Sequence, residues 1–302
     1  MALITRRQFS RDLLVLATAA AFPGSVAAWA GASSEVTAVD THSHIFRRGL
    51  PLALVHRYVP NYDATLEEYL KQLDAQGMSH GVLVQPSFLG TNNDFLVQAV
   101  RSNPERLRGI CVVEPTIAKT ELAELAKGGF VGIRLNLIGE RIPDLSSPTW
   151  TTFLGLLSDL DWQVEIQREA QDLPGIMRGL LERKVNVVID HFGRPDPKLG
   201  VKDPGFEYLL SSAGSGKVWV KLSGAYRNGN NGLGEQIALE AAPMLLKAFG
   251  PERLVWGSDW PHTQFESTAS YSAARADLEK WVPDAAARAR ILSETPAKLF
   301  KF

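Results

Sequence analysis

Residues 38–44 read Ala38-Val39-Asp40-Thr41-His42-Ser43-His44, and the apolar start of this run is typical of a buried parallel strand. Because alternate side chains of a strand point to one side, His42 and His44 face the same way. Two imidazoles that converge can hold a metal ion or polarise a substrate oxygen. Two surface histidines in a loop are the alternative interpretation, and the pattern of the rest of the chain decides between them.

The composition is that of a globular protein with one large domain or two small ones, since 45% of the 302 residues are hydrophobic and 22% are charged. A formal net charge of −1 gives no indication of nucleic acid or an anionic membrane as a partner. Cys111 is the only cysteine, which excludes an intramolecular disulfide. Its apolar neighbours predict a small buried side chain.

Residues 1–32 have the features of a twin-arginine-type signal peptide that is removed from the mature protein. The motif Thr5-Arg6-Arg7-Gln8-Phe9-Ser10 precedes an apolar region from Leu13 to Val26, and small residues suit cleavage after Ala30 or Ala32. A membrane-anchoring or amphipathic helix is the alternative, but the apolar region is short for crossing a bilayer. We therefore expect export to a periplasm, no membrane contact in the mature form, and a folded domain over residues 33–302.

From residue 36 onward, short β-branched runs alternate with segments whose apolar residues have helical spacing. The eight candidate strands are Thr37–Asp40, Gly81–Gln85, Gly109–Val113, Gly132–Leu135, Gln163–Gln167, Asn186–Asp190, Val218–Leu222 and Leu254–Gly257. Eight strands with seven intervening helices predict an α/β fold, a single (β/α)8 TIM barrel. A doubly wound open sheet is the rival, but the Gly-rich phosphate turn expected after its first strand is missing from the sequence.

Three further predictions concern the C-terminal region, Pro243 and the connection after strand 1. Two additional C-terminal helices, Tyr271–Trp281 and Ala285–Phe300, are expected to pack outside the barrel. Pro243 falls inside a helical segment and predicts a kink or a split there. The long connection of residues 45–63 leaves the catalytic end of strand 1, so we expect a substrate lid.

Active sites of such barrels form where the carboxyl ends of the strands meet. Several polar side chains lie at those ends: His42 and His44 of strand 1, Arg134 and Asn136 of strand 4, Gln167 or Arg168 of strand 5, Asp190 and His191 of strand 6, and Asp259 of strand 8. Three histidines and an aspartate at the ends of three strands indicate a catalytic cluster.

The motifs at these ends resemble those of the amidohydrolase superfamily, of the amidohydrolase-2 type. They are His42-Ser43-His44, Asp190-His191-Phe192-Gly193-Arg194-Pro195 and Trp256-Gly257-Ser258-Asp259-Trp260-Pro261-His262. The resemblance extends over residues 36–302 and is strongest to the branch of 2-pyrone-4,6-dicarboxylate lactonases. It implies a hydrolase that acts in the catabolism of aromatic compounds.

The residue types suit ester hydrolysis. Asp259 is expected to act as a general base on a water molecule, with a helix N-cap as its alternative role. His42, His44 and His191 are expected to surround the carbonyl oxygen and stabilise its developing charge, either directly or through a metal ion.

The need for a metal ion stays open. Two-metal members of the superfamily use a lysine on strand 4 and a histidine on strand 5, where this chain has Arg134 and Gln167. The donors expected for a single divalent ion such as Zn²⁺ are His42, His44, His191 and Asp259. The resembled lactonase works without a metal, so either no cofactor or one divalent ion is expected. Lys221, within strand 7, could face inward, but a lysine at the surface or paired in the core is expected.

Arginines indicate the class of substrate. Three of them, Arg134, Arg194 and Arg227, lie at or just beyond strand ends, and Arg141 lies on the loop after strand 4. Their guanidinium groups are expected to bind carboxylates or sulfonates through paired hydrogen bonds. The resembled family binds a dicarboxylate lactone with matching arginines, and Tyr58 and His262 complete the expected substrate contacts. A tyrosine expected near strand 5 is replaced by Gln167, which leaves the exact substrate open.

Three functions remain at this point. A hydrolase that opens a small anionic lactone, carboxylated or sulfonated, is the leading hypothesis. A metal-dependent decarboxylase of a related unsaturated acid is the second. An exported solute-binding protein is a third, of a different class, but it requires two lobes where the strand count predicts one barrel.

Overall fold

A computed structural model describes residues 35–302. Its eight strands are parallel and each pairs with the next in chain order. They are β1 (Val39–Ser43), β2 (His80–Val84), β3 (Leu107–Cys111), β4 (Phe130–Asn136), β5 (Gln163–Gln167), β6 (Asn186–Ile189), β7 (Val218–Leu222) and β8 (Leu254–Trp256). The predicted signal peptide of residues 1–32 lies outside the described residues.

A helix follows every strand. These helices are α1 (Leu66–Ala75), α2 (Asp94–Ser102), α3 (Lys119–Lys127), α4 (Pro148–Asp159), α5 (Leu173–Glu182), α6 (Pro204–Ser211), α7 (Leu233–Phe249) and α8 (Tyr271–Trp281), and α9 (Ala285–Leu292) and α10 (Glu294–Phe300) end the chain. The prediction of a (β/α)8 barrel with extra C-terminal helices is confirmed. In the part of the chain that is described, no helix has the length and apolar character needed to cross a membrane.

Two helix predictions need correction. The helix predicted over residues 285–300 is two helices, because Pro296 lacks an N–H and is accommodated in the first turn of the new helix α10. The segment around Pro243 is not split, since α7 runs continuously from Leu233 to Phe249. Buried residues before and after the proline, Ala238 and Leu245 among them, pack both halves against the barrel and oppose a break.

The interior of the barrel has an apolar layer at one end. One hydrophobic cluster takes residues from six of the strands and from α10: Val39, Val82, Val84, Ile110, Val131, Val188, Val255, Leu299 and Phe300. The ammonium group of Lys221 lies 6.0 Å from the ring centroid of Phe300. Buried polar side chains therefore begin next to this layer and continue toward the carboxyl ends of the strands.

Hydrogen bonds from β1 to the end of β8 and to the segment after it close the barrel. The backbone N–H of Asp259 donates to the carbonyl of His42 at 2.8 Å, and the Thr41 hydroxyl donates to the Trp256 carbonyl at 2.8 Å. The buried Asp40 carboxylate accepts from the backbone N–H of Ser258 at 2.8 Å and from its hydroxyl at 2.6 Å. A Cβ at Gly257 would lie 2.5 Å from the Cβ of His42, so this close approach requires glycine.

We expect Ser258→Ala to lower the free energy of unfolding by about 1.5–3 kcal/mol, because it removes a buried hydrogen bond to a carboxylate. The backbone N–H of Trp260 also loses the Ser258 hydroxyl that accepts from it at 3.0 Å. Urea-induced unfolding measures the change, at an unaltered m-value. Ser272→Ala, on the exposed face of α8, is the control and should stay within about 0.5 kcal/mol of the wild type. Equal stabilities for the two variants would contradict this role of Ser258.

Candidate active site

A pocket of about 180 Å³ lies at the carboxyl ends of the strands. Its wall includes His44, His191 and Asp259, the lid residue Tyr58, and four arginines, which are Arg57, Arg134, Arg194 and Arg227. The rest of the wall is mixed: Pro86, Ser87, Phe88, Asn136, Ile138, Gln167, Thr263, Gln264 and Phe265. The long connection after β1 thus contributes to the pocket, as expected of a lid.

The predicted histidines and the aspartate converge beside this pocket and are buried. Asp259 Oδ1 lies 3.8 Å from His42 Nε2 and 3.9 Å from His44 Nε2. The ring centroid of His42 is 4.9 Å from those of both His44 and His191. Asp259 does not cap a helix, because the next helix begins only at Tyr271. Its φ of 60° places it in the left-handed region, which is costly for aspartate and is often found at functional sites.

The two carboxylate oxygens of Asp259 have different environments. Oδ2 accepts hydrogen bonds from Arg227 Nε at 2.5 Å and from the Tyr226 hydroxyl at 2.7 Å. Oδ1 has no hydrogen-bond partner within residues 35–302. Burial by itself would raise the pKa of Asp259, but the charge and hydrogen bond of Arg227, together with the neighbouring His191 and His42, outweigh burial and hold the pKa well below its usual range. The carboxylate is therefore ionised, and one oxygen remains available to a water molecule.

Tyr226 was not predicted from the sequence, where nothing distinguishes it in a short turn after β7. Its hydroxyl donates to Asp259 and lies 3.0 Å from His262 Nδ1. His262 is buried and, like His42, is not among the residues of the pocket wall, so its contact with substrate stays a prediction. A Cβ at Gly224 would lie 2.8 Å from His191 Nδ1, so the glycine leaves room for this cluster.

The histidines of the pocket wall are neutral. Burial lowers the pKa of His44 to about 4 and the pKa of His191 to about 3. His44 Nδ1 donates to the Val84 carbonyl at 2.7 Å, and His191 Nδ1 lies 3.0 Å from the Ser223 hydroxyl. The bond to Val84 leaves a lone pair on His44 Nε2, the nitrogen that faces Asp259.

Lys221 faces inward, is not exposed at the surface, and belongs to a buried network inside the barrel that includes His42. Its Nζ lies 2.7 Å from Glu165 Oε2, 3.0 Å from His42 Nδ1 and 3.5 Å from Asp190 Oδ1. Burial raises the pKa of Glu165 to about 7 although Lys221 opposes the rise. The sequence did not indicate Glu165 because it lies in mid-strand on β5, two strands away from Lys221.

The residue types would suit one divalent ion, but the hydrogen bonds do not. Two sets of donors lie within 4.8 Å of one another, His42 with His44 and Asp259, and His42 with Asp190 and His191. Both sets need His42, and the Lys221 ammonium donates to its Nδ1. His42 Nδ1 also lies 3.4 Å from Asp190 Oδ1, but Lys221 is the nearer partner. We therefore infer that Nδ1 accepts from Lys221 and that the ring proton is on Nε2, which faces Asp259 and cannot then bind a metal. This arrangement fits an oxygen atom that accepts from His42 better than it fits a metal ion.

The arginines predicted to bind substrate have different positions. Arg134 Nη2 lies 2.5 Å from Gln167 Oε1 and 3.2 Å from Asp190 Oδ2, on the pocket wall with Arg194 and Arg227. Arg141 is exposed and does not belong to the wall. Arg57 was predicted only as part of the lid, and the structure shows that it also lines the pocket.

Comparison with known proteins agrees with this geometry. The family model described as amidohydrolase matches residues 39–302. The chain belongs to the amidohydrolase family. It is 31% identical over 267 residues to a 4-sulfomuconolactone hydrolase of Rhizobium radiobacter, covering 86% of this chain and 89% of the relative. It is also 30% identical to a 2-pyrone-4,6-dicarboxylate hydrolase of Comamonas testosteroni, over 87% of this chain and 90% of that one.

A solved structure is similar over the same region. It is a crystal structure named as a 2-pyrone-4,6-dicarboxylic acid hydrolase of Acinetobacter baumannii, with citric acid bound. The identity is 41%, the TM-score is 0.86, and the match covers 88% of this chain and 100% of the other. Because these relatives are lactone hydrolases and match nearly the whole barrel, this amidohydrolase is an enzyme of the hydrolase class.

We expect hydrolase activity to survive removal of metal ions, because the hydrogen bond from Lys221 keeps a proton on the His42 nitrogen that a metal would need. After prolonged treatment with a chelator, kcat/KM for a lactone should stay within about twofold of the untreated value. Elemental analysis of the same sample shows whether metal was removed. If activity is lost and added Zn²⁺ restores it, the inference that His42 does not bind a metal is contradicted.

Proposed function

We propose that this amidohydrolase opens small anionic lactones, carboxylated or sulfonated, by attack of water on the ring carbonyl. The observation that carries the proposal is that the two carboxylate oxygens of Asp259 have different surroundings. Arg227 and Tyr226 occupy one carboxylate oxygen, and the other oxygen faces His42 and His44 beside a pocket with four guanidinium groups. A base next to anion-binding groups is what hydrolysis of an anionic ester requires.

The proposed first step uses the free oxygen of Asp259. Oδ1 takes a proton from a water molecule while the water oxygen forms a bond to the carbonyl carbon of the lactone. The carbonyl oxygen becomes an oxyanion, and the Nε2–H of His42 donates to it. Lys221 assists indirectly, because its bond to His42 Nδ1 keeps that proton on Nε2.

The second step breaks the ring. The tetrahedral intermediate collapses, the bond between the carbonyl carbon and the ring oxygen is cleaved, and a new carboxylic acid group forms. The departing ring oxygen takes up the proton that Asp259 holds, which returns the carboxylate to its ionised state. No further reactant is needed.

The arginines support an anionic substrate. Guanidinium groups bind carboxylates and sulfonates through charge-assisted hydrogen bonds, and four of them around one small pocket favour an anion strongly. Two relatives bear the names of hydrolases of a sulfonated and a dicarboxylated lactone. A third was crystallised with citric acid, which carries three carboxyl groups.

The alternative functions have less support. A metal-dependent decarboxylase would need a metal at His42, where Lys221 favours the wrong tautomer. A solute-binding protein with two lobes and a hinge does not match a single barrel over residues 35–302.

Turnover of a small panel of lactones tests the proposal. We expect wild-type enzyme to open 2-pyrone-4,6-dicarboxylate or 4-sulfomuconolactone and to be slow on the neutral dimethyl ester of the pyrone. Each lost charge-assisted contact costs about 1.5–3 kcal/mol, roughly ten- to a hundredfold in kcat/KM. A neutral ester that reacts as fast as the dianion would contradict the proposed substrate class.

Asp259→Asn is the matched catalytic arm of the same experiment. The amide keeps the shape of the carboxylate but cannot accept the proton, so kcat should fall by about 10²- to 10⁴-fold. Asp94→Asn, an exposed change on α2, is the control and should leave kcat unaltered. A folded Asp259→Asn protein with more than about a tenth of the wild-type kcat would remove Asp259 from the mechanism.

A further inference from the structure

The four guanidinium groups of the pocket are not equally free to bind a substrate. Arg134 Nη2 lies 3.2 Å from Asp190 Oδ2, and Arg227 Nε lies 2.5 Å from Asp259 Oδ2. These two arginines already have carboxylate partners. For Arg57 and Arg194, the described part of the chain offers no carboxylate oxygen within 4.0 Å of a guanidinium nitrogen. Two positive charges of the pocket wall thus lack an anion.

Arg194 is fixed by its backbone and not by its side chain. Its N–H donates to the His191 carbonyl at 3.1 Å, and its carbonyl accepts from the N–H of Ala170 at 2.9 Å. The buried Nε of its guanidinium has no hydrogen-bond partner among residues 35–302. A buried donor that the protein leaves unpaired is costly unless a ligand pairs with it.

Arg57 lies on the wall too, in the connection between β1 and α1, and its side chain is exposed. The guanidinium makes one hydrogen bond, from Nη2 to the neutral side-chain oxygen of Asn136 at 3.2 Å. Asn136 ends β4, so the Arg57 side chain extends from the lid to the carboxyl end of β4. A neutral amide is a weak partner for a guanidinium, and an anionic group is a stronger one.

The lid does not depend on Arg57 for its position. The N–H of Ala53 donates to the Phe88 carbonyl at 2.9 Å, and the hydroxyls of Tyr58 and Thr263 lie 3.1 Å apart. The Tyr62 hydroxyl donates to Glu266 at 2.6 Å. These contacts attach the lid to the loops after β2 and β8, so removal of the Arg57 side chain leaves its anchors in place.

We propose that Arg57 determines specificity for dianionic lactones by binding a second anionic group at the pocket mouth, while Arg194 binds the first. This proposal rests on the proposed lactone hydrolysis and adds the number and placement of the anionic groups. On binding, the guanidinium of Arg57 exchanges the amide of Asn136 for a carboxylate or sulfonate. A monoanion satisfies only one of the two unpaired arginines and is a poorer substrate.

Substitution of Arg57 separates this role from a general effect of the lid. The substrates are 2-pyrone-4,6-dicarboxylate and its two monocarboxylates, and the variants are Arg57→Met and Arg57→Lys. We expect Arg57→Met to lower kcat/KM for the dianion by about ten- to a hundredfold, mainly through KM. One monocarboxylate should lose a similar factor, and the other, which uses Arg194, should change by less than about threefold. Arg57→Lys should recover part of the loss because it keeps the charge.

Two further variants complete the comparison. Arg194→Met should produce the complementary pattern, with the loss on the other monocarboxylate. Arg48→Met is the matched control on the same loop, since the exposed Arg48 side chain pairs with Asp63 at 3.1 Å and does not line the pocket. It should leave kcat/KM for all three substrates within about twofold of the wild-type value.

Equal losses on all three substrates would overturn the proposal, because displacement of the lid would produce that result. A response of Arg57→Met that matches Arg48→Met would also overturn it. Calorimetric titration of the same three compounds separates this proposal from the proposed hydrolysis. If no lactone is opened, the dissociation constants still report whether Arg57→Met weakens the dianion and one monocarboxylate selectively, as expected, or weakens all three equally.

Discussion

The ion pair between Arg227 and Asp259 is the interaction on which the rest of the site depends. At 2.5 Å it occupies one carboxylate oxygen, contributes most to keeping the group ionised against burial, and leaves the other oxygen facing His42 and His44. Barrel closure makes this geometry possible, because the hydrogen bond from Asp259 N–H to the His42 carbonyl holds the end of β8 against β1. Fold and site therefore share the same few residues at this seam. A carboxylate held on one side and free on the other is preorganised to receive a proton without reorganisation of its surroundings.

A second constraint is the concentration of charge in a small volume. The lysine–glutamate–aspartate network of the barrel interior is buried, three of the pocket arginines (Arg134, Arg194 and Arg227) are buried or half-buried, and unpaired buried charge is costly. This cost falls on Arg194, whose buried Nε has no hydrogen-bond partner among residues 35–302, and not on Arg57, whose side chain is exposed. An anionic ligand removes the cost, so binding should stabilise the folded state as well as position the lactone. Natural active sites commonly sacrifice stability in this way.

The strands and their polar ends were predictable, because periodicity identifies eight short runs and a parallel barrel necessarily gathers their carboxyl ends at one face. His42, His191 and Asp259 could be placed together on that ground alone. Loops have no such periodicity, so Arg141 could not be known to point outward or Arg57 to point inward. Tyr226 was missed for the same reason, since its turn after β7 carries no pattern. Lys221 and Glu165 show a different limit: alternation predicts which side of a strand faces inward, but it does not tell which partners meet across the barrel.

The central claim is that water attacks the ring carbonyl of the lactone. Single-turnover hydrolysis of 2-pyrone-4,6-dicarboxylate in ¹⁸O-labelled water tests it directly, with mass spectrometry of the ring-opened product. Attack at the carbonyl places one ¹⁸O atom in the newly formed carboxylate and releases no carbon dioxide. An unlabelled new carboxylate, with the label on the carbon that carried the ring oxygen, would contradict attack at the carbonyl. Release of carbon dioxide would contradict hydrolysis itself.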